Sequence, residues 1–303
     1  MRKSFKFIDK YSKTIQCYKW TIENPRAIIY ISHGMAENCI RYDEFASRLN
    51  REGYSVYSHD HRGHGKTDEN ANRGYIADSE GFEVLAENIS ELIDNAKSEN
   101  EGLEVILFAH SMGSFVSLRF LELYSEKINR VILSGTNGEL KPIASIGAII
   151  ARIEIGLLGR RHTSKLMDKL IFGAHNNKFK PARTNYDWIC SNENSVDEYI
   201  KNPDCGFVCS VSFYYDLIRG VNKLHRNVEF DKINKSTKFF IFSGDMDPVG
   251  EQGKGLVSLA NKLKKYGVNN TEYKLYKDGR HEMLNEKNKD EVMNDVIEFL
   301  DRT

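Results

Sequence analysis

The feature that most constrains this chain is a short apolar run followed at once by a helical pattern. Residues 105–109 read Val-Ile-Leu-Phe-Ala, and five apolar residues in a row are typical of a strand covered on both faces. The spacing of apolar residues then predicts a helix over 114–124. Only residues 110–113 are left for the turn between them. A turn this tight lifts the hydroxyl of Ser111 clear of the sheet, beside the free N–H groups of a helix N-terminus.

Such a turn brings backbone segments close together, so the residues two before and two after the serine must be small. Gly113 meets this requirement, and Ala109 nearly does, although the usual pattern is G-x-S-x-G. The short motif leaves two interpretations open. Ser111 is either a nucleophile or an ordinary helix N-cap, for which serine is a preferred residue. The choice depends on whether suitable partners follow later in the chain.

Strand and helix patterns alternate on both sides of this turn. After a leading hairpin over 5–8 and 15–22, strands are predicted at 27–32, 54–58, 105–109, 130–134, 238–242 and 271–276. Helices are predicted at 42–49, 79–97, 114–124, 252–266 and 289–300. This alternation predicts an α/β fold, with a mostly parallel central sheet and helices on both of its faces.

The alternation fails between residues 137 and 226. This stretch has more helical than strand pattern, and it predicts a mainly helical cap inserted into an α/β core of residues 1–136 and 227–303. Within it, residues 143–158 are rich in isoleucine and leucine. Packing onto the core accounts for much of this apolar surface. The remainder predicts a pocket wall that includes Ile149 and Ile153, or a patch that touches a membrane surface transiently.

Composition excludes some classes of partner. Lys plus Arg and Asp plus Glu number 43 each, so the formal charge is zero and no basic stripe indicates a nucleic-acid partner. The charged N-terminus has no apolar segment after it, and no apolar run is long enough to span a bilayer. Five irregularly spaced cysteines predict free thiols, and these features together predict a cytoplasmic protein.

Two later loops supply the groups that a reactive serine needs. The first follows strand 238–242 and contains Asp245 and Asp247, and the second follows strand 271–276 and contains His281. A histidine can take the proton of a serine hydroxyl, and an acid can orient that histidine. The order serine, acid, histidine, with each residue after its own strand, is typical of the α/β-hydrolase fold. The spacing alone leaves open which aspartate is the acid.

Six segments, spread over nearly the whole chain, carry a closer resemblance. They are His33-Gly34-Met35-Ala36-Glu37, Asp60-His61-Arg62-Gly63-His64-Gly65, Arg73-Gly74-Tyr75-Ile76, His110-Ser111-Met112-Gly113, Gly244-Asp245-Met246-Asp247-Pro248-Val249 and Gly279-Arg280-His281-Glu282. Together they resemble the monoacylglycerol lipase and bacterial lysophospholipase branch of the α/β-hydrolases, also described as serine aminopeptidase-like hydrolases. The resemblance implies that the acid is Asp247, the aspartate before the Pro-Val pair. Asp245 is then expected to bond the backbone of its own turn.

The resemblance also implies how the site would stabilise negative charge. The backbone N–H groups of Met35 and Met112 would form an oxyanion hole, since both lie in turns directly after strands beside the serine. The neighbouring His33 and Gly34 are expected to contact the substrate. No cofactor is expected, and the expected partner is a small-molecule ester or lipid.

Three histidines at 59, 61 and 64 suggest a different kind of site. Their spacing is similar to the H-x-H-x-D-H pattern of metallo-hydrolases, and histidines at a strand end can bind zinc. However, Gly63 occupies the position of the aspartate, and no later histidine cluster completes the set. We therefore expect no metal at this loop. Its residues Asp60, Arg62, Gly63 and Gly65 match the corresponding segment of the resembled family, and we expect them to hold loops together near the site.

The sequence thus predicts a serine hydrolase that cleaves a carboxylic ester of a lipid-like acyl group. The same three residue types also serve enzymes that cleave thioesters, amides or carbon–carbon bonds, and fold does not decide among them. An aminopeptidase would need acidic groups to hold the substrate ammonium, for which Glu154, Glu193 and Asp197 are the candidates. A non-catalytic binding protein on the same fold is a further alternative.

Overall fold

Eight strands form one sheet in the computed structural model, which describes residues 1–69, 72–138, 143–224 and 227–302. In chain order they are β1 (Arg2–Ile8), β2 (Thr14–Trp20), β3 (Ala27–Ser32), β4 (Tyr54–His59), β5 (Val105–His110), β6 (Arg130–Ser134), β7 (Lys238–Gly244) and β8 (Thr271–Tyr276). Across the sheet the order is β1-β2-β4-β3-β5-β6-β7-β8. Pairing is antiparallel from β1 to β2 and from β2 to β4, and parallel elsewhere. The leading hairpin and the mostly parallel sheet are confirmed.

Helices connect the parallel strands. Within the described residues they are α1 (Asp43–Arg51), α2 (Gly81–Glu99), α3 (Met112–Tyr124), α4 (Ile143–Leu158), α5 (Lys165–Phe172), α6 (Glu193–Lys201), α7 (Val211–Leu224), α8 (Asn227–Phe230), α9 (Lys254–Lys265) and α10 (Lys289–Asp301). Helix α3 begins two residues earlier than predicted. Met112 and Gly113 belong to its first turn, because the chain enters the helix directly from Ser111.

The central strand is covered on both faces, as its apolar run indicated. Every residue of β5 is buried. Leu107 and Ala109 point into the larger core, which contains residues of α2, α3, α7 and α9. Ile106 and Phe108 point into the second core, which contains residues of α1 and α10. Because side chains alternate along a strand, one apolar run fills both layers.

The parallel strands bring the sequence motifs to one edge of the sheet. β3 and β5 are neighbours, and β7 and β8 follow after one intervening strand. The carboxyl ends of these four strands therefore share an edge, where open α/β sheets hold their ligands. The loops that start there contain residues 33–37, Ser111, residues 245–249 and residues 277–282.

Helices α4 to α7 lie between β6 and β7 in the chain, within the stretch predicted as a cap. α4 packs against α7, and α7 packs against α2 and α3 of the α/β layers. The division into a core of 1–136 and 227–303 and a cap of 137–226 stays a prediction, and residues 139–142 and 225–226 lie outside the described residues. None of the helices within the described ranges has the length and apolar character that crossing a membrane requires.

The contact between α7 and α2 depends on a glycine. A Cβ on Gly220 would lie 2.1 Å from Cγ of the buried Phe82 ring, whereas a Cβ on Gly156 of α4 would meet nothing within 4 Å. We expect Gly220→Ala to lower the free energy of unfolding by about 1–3 kcal/mol through overpacking. Gly156→Ala is the matched control, and it should raise that free energy by about 0.5–1 kcal/mol. Urea denaturation measures both, and an equal effect of the two changes would contradict this packing.

Candidate active site

Ser111 occupies a strained position between β5 and α3. Its backbone has φ 51° and ψ −122°, a region that residues other than glycine rarely adopt. The turn is held by the Ser111 N–H, which donates to Ser134 O at 2.9 Å. It is also held by Ser114, whose N–H and hydroxyl donate to Ser111 O at 2.8 and 2.6 Å. The serine is therefore fixed in the sharp strand-to-helix turn that the sequence predicts.

Small residues surround the turn, as predicted. A Cβ on Gly113 would lie 2.3 Å from Ser32 O and 2.5 Å from His33 O, so α3 passes directly against the end of β3. A Cβ on Gly34 would lie 3.2 Å from the Ser111 Cβ. Ala109 is fully buried and is paired on both sides within the sheet, where its methyl group is accommodated. The departure from G-x-S-x-G therefore leaves the turn intact.

The structure brings Ser111, His281 and Asp247 together. His281 Nε2 lies 2.9 Å from Ser111 Oγ, and His281 Nδ1 lies 3.0 Å from each carboxylate oxygen of Asp247. Asp247 is fully buried, and its carboxylate also accepts from the Ser243 hydroxyl at 2.6 Å and from the Val249 N–H at 2.9 Å. The predicted serine, histidine and acid thus form a continuous hydrogen-bonded chain.

The surroundings of this chain favour an ionised acid and a basic histidine. Burial opposes ionisation of Asp247, but His281 and the donors from Ser243 and Val249 outweigh it and lower the pKa of the carboxyl. Burial opposes protonation of His281, but the Asp247 carboxylate outweighs it and raises the pKa of the imidazole above its ordinary value of 6.5. Proton transfer from Ser111 to His281 is favoured by this arrangement.

Asp245 does not take part in the chain. Its carboxylate accepts from the Asp278 N–H at 2.8 Å, so it joins the loop after β7 to the loop after β8. The bond is to backbone, as expected, but to the backbone of the neighbouring loop and not to that of its own turn. Asp247 is the aspartate that contacts His281.

The backbone N–H groups of Met35 and Met112 are the predicted oxyanion hole. Met35 and Met112 both line the cavity that contains Ser111. Met112 is the first residue of α3, so its N–H has no partner within the helix. No hydrogen-bond acceptor in the described part of the chain receives the N–H of either residue. Their position fits the predicted oxyanion hole, which stays a prediction.

A buried ionic network joins two loops of the site. Arg41 donates to both carboxylate oxygens of Glu282 at 2.7 and 2.6 Å and to Glu37 at 2.7 Å. Glu37 also accepts from the N–H of Gly34 and from the Tyr42 hydroxyl at 2.9 Å. Burial opposes ionisation of Glu37, but Arg41 outweighs it and lowers the pKa of the carboxyl to about 2. The network holds the loop of Met35 against the loop of His281.

His33, which was predicted to contact the substrate, lies behind the cavity wall. The side chain is fully buried and does not line the cavity. Its Nδ1–H donates to Gly34 O at 2.7 Å, and its Nε2 accepts from the His61 N–H at 2.9 Å. The imidazole therefore shapes the turn at Gly34, which does line the cavity.

His59 ends β4, His61 and His64 lie in the loop after it, and all three are buried near His33. Burial lowers the pKa of His59 and His61 far below the ordinary value and that of His64 to about 3. His64 Nε2 accepts from the Ala36 N–H at 3.0 Å, and its Nδ1–H donates to Arg62 O at 3.0 Å. His64 therefore has no free nitrogen to offer a metal and instead supports the loop that contains Met35.

A second grouping of metal-binding residue types lies nearby. His33, Cys39 and Asp60 place ligand atoms within 4.8 Å of one another. Both nitrogens of His33 are already hydrogen-bonded, and the Asp60 carboxylate accepts from the Cys39 N–H, the Tyr18 hydroxyl and the Lys66 N–H. These hydrogen bonds occupy the electron pairs that a metal would need.

A cavity of about 850 Å³ opens onto Ser111 and His281. Much of its wall comes from the insertion between β6 and β7. The apolar side chains of the wall include Met35, Phe115, Ile146, Ile150, Met167, Leu170, Ile171, Phe172, Trp188, Phe207, Leu217, Ile218 and Val221. This volume lies within the range that small-molecule sites commonly occupy.

Ile149 and Ile153, which were predicted for the pocket wall, do not line this cavity. They are 61% and 59% exposed on the outer side of α4. The cavity is lined instead by Gly147 and Ile150, and the adjacent Ala151 is fully buried. Apolar residues occur on more than one face of α4, so spacing alone could not select the inner face.

The acids considered for an ammonium site also lie outside the cavity. Glu154 accepts from the Ser164 hydroxyl at 2.7 Å, while Glu193 and Asp197 face Arg183 on the surface. The one acid of helix α5, Asp168, lines the cavity and accepts from the Tyr214 hydroxyl at 3.0 Å. The structure therefore gives no support to the acidic residues named for an aminopeptidase.

A family model described as serine aminopeptidase, S33, matches residues 23–288, which is most of the chain. The chain belongs to this family. This chain is 27% identical over 298 residues to the monoglyceride lipase homolog of monkeypox virus. The match covers 95% of this chain and 92% of that relative. It is 35% identical to the rat monoglyceride lipase over 94 residues, which cover 31% of this chain and 29% of the relative.

Solved structures agree with this assignment. A highly thermostable carboxyl esterase from Bacillus coagulans, in complex with glycerol, superposes on this chain with a TM-score of 0.92 and 26% identity. The match covers 99% of this chain and 97% of the esterase. The resemblance to the monoacylglycerol lipase and lysophospholipase branch is confirmed, and the protein is a carboxylic ester hydrolase.

The two aspartates after β7 allow a matched test of the site. Asp247→Asn removes the charge that orients His281, and we expect kcat to fall at least about a thousandfold. Asp245→Asn should lower kcat by less than about fivefold, because the Asp245 carboxylate bonds the Asp278 backbone and not His281. Initial rates on p-nitrophenyl butyrate, with circular dichroism to confirm folding, make the comparison. Equal losses, or a larger loss for Asp245→Asn, would remove Asp247 from the acid role.

Proposed function

We propose that this ester hydrolase works through an acyl-enzyme formed on Ser111. His281 takes the hydroxyl proton as the serine oxygen attacks the ester carbonyl, and Asp247 stabilises the resulting imidazolium. The N–H groups of Met35 and Met112 donate hydrogen bonds to the carbonyl oxygen and stabilise the negative charge that develops on it. The observation that carries this proposal is the hydrogen-bonded chain from Asp247 through His281 to Ser111.

The rest of the cycle uses the same groups in reverse. The protonated His281 gives its proton to the leaving alcohol, which breaks the ester bond and leaves the acyl group on Ser111. A water molecule then loses a proton to His281 and attacks the acyl carbonyl, and Ser111 leaves with that proton. The products are an alcohol and a carboxylic acid.

The preferred substrate is an ester of a lipid-like acyl group with a small alcohol, such as a monoacylglycerol. The apolar wall supports this choice, because a cavity of about 850 Å³ beside Ser111 has the volume and the lining to bury an acyl chain. The relatives named monoglyceride lipase and monoacylglycerol lipase also support it. The glycerol in the esterase from Bacillus coagulans is the alcohol that such a substrate would release.

The insertion of residues 137–226 serves as a cap that meets a membrane surface transiently. Ile149, Ile153 and Leu157 are each more than half exposed and share one face of α4. Leu166 and Leu170 of the adjacent α5 are also about half exposed. Exposed cations lie on the same two helices, at Arg152, Lys165 and Lys169. An apolar face flanked by cations favours a surface that contains anionic lipid.

Replacement of the serine tests the proposed chemistry. We expect Ser111→Ala to lower kcat at least about a thousandfold, since it removes the nucleophilic oxygen and little packing. The variant should still bind a medium-chain ester analogue, because the cavity wall is unchanged. If the purified variant kept a tenth of the wild-type activity, the assignment of Ser111 would be wrong.

Two adjacent isoleucines test the acyl site. Ile150 lines the cavity, whereas Ile149 faces outward. For wild type, kcat/KM on p-nitrophenyl esters should rise from acetate to octanoate by up to about fourfold per methylene until the cavity is filled. Ile150→Asn should flatten this rise, while Ile149→Asn should preserve it. A higher kcat/KM of the wild type on the acetate ester than on the octanoate ester would contradict the assignment of a lipid substrate.

The same pair tests membrane contact in the opposite sense. The wild type and the Ile150→Asn variant should co-sediment with vesicles that contain phosphatidylglycerol. Ile149→Asn should weaken this binding several-fold. Vesicles of phosphatidylcholine alone should bind less, because the cations of α4 and α5 then lack a partner. Absence of binding by the wild type to both kinds of vesicle would refute the contact.

A further inference from the structure

A short segment of the insertion holds the loop that contains His281. Arg280 donates to the carbonyl oxygens of Asp187 and Cys190, the second at 3.1 Å. The Glu282 N–H donates to Ile189 O at 2.7 Å. The residues on both sides of His281 are therefore attached to one stretch of backbone, residues 187–190.

The attachment continues beyond the histidine. The Glu286 carboxylate accepts from the N–H groups of Ser191 and Arg280, both at 2.9 Å, and from the Ser191 hydroxyl. Cys190 Sγ donates to Asn285 O at 3.1 Å. Ordinary packing of a cap over a cavity does not require this number of directed hydrogen bonds to one catalytic loop.

The side chain at the centre of this segment touches the histidine itself. The Trp188 ring lies 5.3 Å from the His281 ring, centroid to centroid, at an interplanar angle of 38°. On another side, His281 meets the His110 ring at 4.8 Å. Trp188 is itself supported by Phe172, which stacks on it at 5.8 Å and 17°, and by the His175 ring at 4.7 Å. The indole is thus fixed against the imidazole.

We propose that Trp188 is a positioning residue that holds the His281 ring in line with Ser111 and stabilises it when it becomes an imidazolium. This inference rests on the proposed role of His281 as the proton acceptor. The face of an indole has a negative potential, and a cation within about 6 Å of its centre is attracted to it. His281 gains positive charge at the moment Ser111 attacks, so the interaction is stronger in the transition state than before it.

Other ionisable groups also face His281 and have to be separated from Trp188. They are Asp247, Glu282, Glu37, His110 and His175. Burial lowers the pKa of His110 and of His175 to about 4, so both stay neutral at pH 7. Substitution of Trp188 leaves all of these groups in place, so a change in the titration of His281 would come from the indole or from water that replaces it.

The first test measures kcat and KM against pH for Trp188→Leu. We expect kcat to fall roughly tenfold and KM to change by less than about twofold. The acid limb of kcat/KM should move to lower pH by about half a unit, because the imidazolium loses a stabilising contact. For Trp188→Phe, kcat and the position of the acid limb should lie between those of the wild type and of Trp188→Leu, since the face of a phenyl ring has a weaker negative potential.

The matched control is Phe207→Leu. Phe207 is another aromatic residue of the cavity wall, and its ring contacts His64 and Arg73 on the other side of the site. This change should alter KM and leave the acid limb where it is. If Trp188→Leu also acts through KM alone, or moves the acid limb to higher pH, Trp188 is only part of the wall and the inference is overturned.

A spectroscopic test uses the fact that the chain has only two tryptophans, Trp20 and Trp188. In a Trp20→Phe background, the emission of Trp188 should be quenched as His281 becomes protonated, with the same midpoint as the acid limb of kcat/KM. Adding His281→Gln should abolish the transition, while adding His175→Asn should preserve it. A transition that disappears with His175→Asn and survives His281→Gln would refute the contact.

Activity of the His281→Gln variant separates this inference from the proposal on which it rests. Retained activity in His281→Gln would show that the proposed chemistry is wrong. Lost activity in His281→Gln, together with wild-type kcat and pH dependence in Trp188→Leu, would show that only the role of Trp188 is wrong.

Discussion

The hydrogen bond between His281 and Asp247 is the interaction on which the rest of the site depends. A carboxylate that is fully buried loses several kcal/mol of hydration free energy, and it stays ionised only where its oxygens are satisfied. Here the His281 ring, the Ser243 hydroxyl and the Val249 N–H satisfy them. In return, the charge of Asp247 raises the pKa of His281 against the effect of burial. The basicity of the site is therefore produced by a charge enclosed inside the protein.

That pair can form only because separate loops are held at fixed positions. The parallel strands bring the loops to one edge of the sheet, and the strained turn at Ser111 places the hydroxyl within 2.9 Å of the imidazole. Arg41 then joins the loop of Glu37 to that of Glu282. The insertion adds its own bonds through residues 187–191. These hydrogen bonds fix the loops that contain Ser111, Asp247 and His281. Groups that are fixed before the reaction need little rearrangement during it, which is the basis of electrostatic preorganisation.

The sequence was informative where local physics decides the outcome. The covered strand β5, the small residues around Ser111 and the loops after β7 and β8 could be predicted, because alternation, steric crowding and strand order constrain them. The cavity wall could not. Helix α4 is apolar on more than one side, and the residue that lines the cavity is Ile150, whereas the predicted Ile149 is exposed. Trp188 belongs to no motif, and its contact with His281 depends on the path of an irregular segment, which spacing does not predict. The burial of His33 could not be predicted either, because a motif position does not reveal that both ring nitrogens bond to backbone.

The central claim is that Ser111 is the nucleophile and that His281 activates it. Its most direct test is the pH dependence of labelling by a fluorophosphonate, with the modified residue located by peptide mass spectrometry. We expect one adduct per chain, on Ser111. Its rate of formation should fall as the pH drops through a midpoint above 6.5, because His281 must be neutral to accept the proton and its pKa is raised. An adduct on another residue, or labelling of Ser111 at a rate independent of pH between 5 and 8, would contradict it.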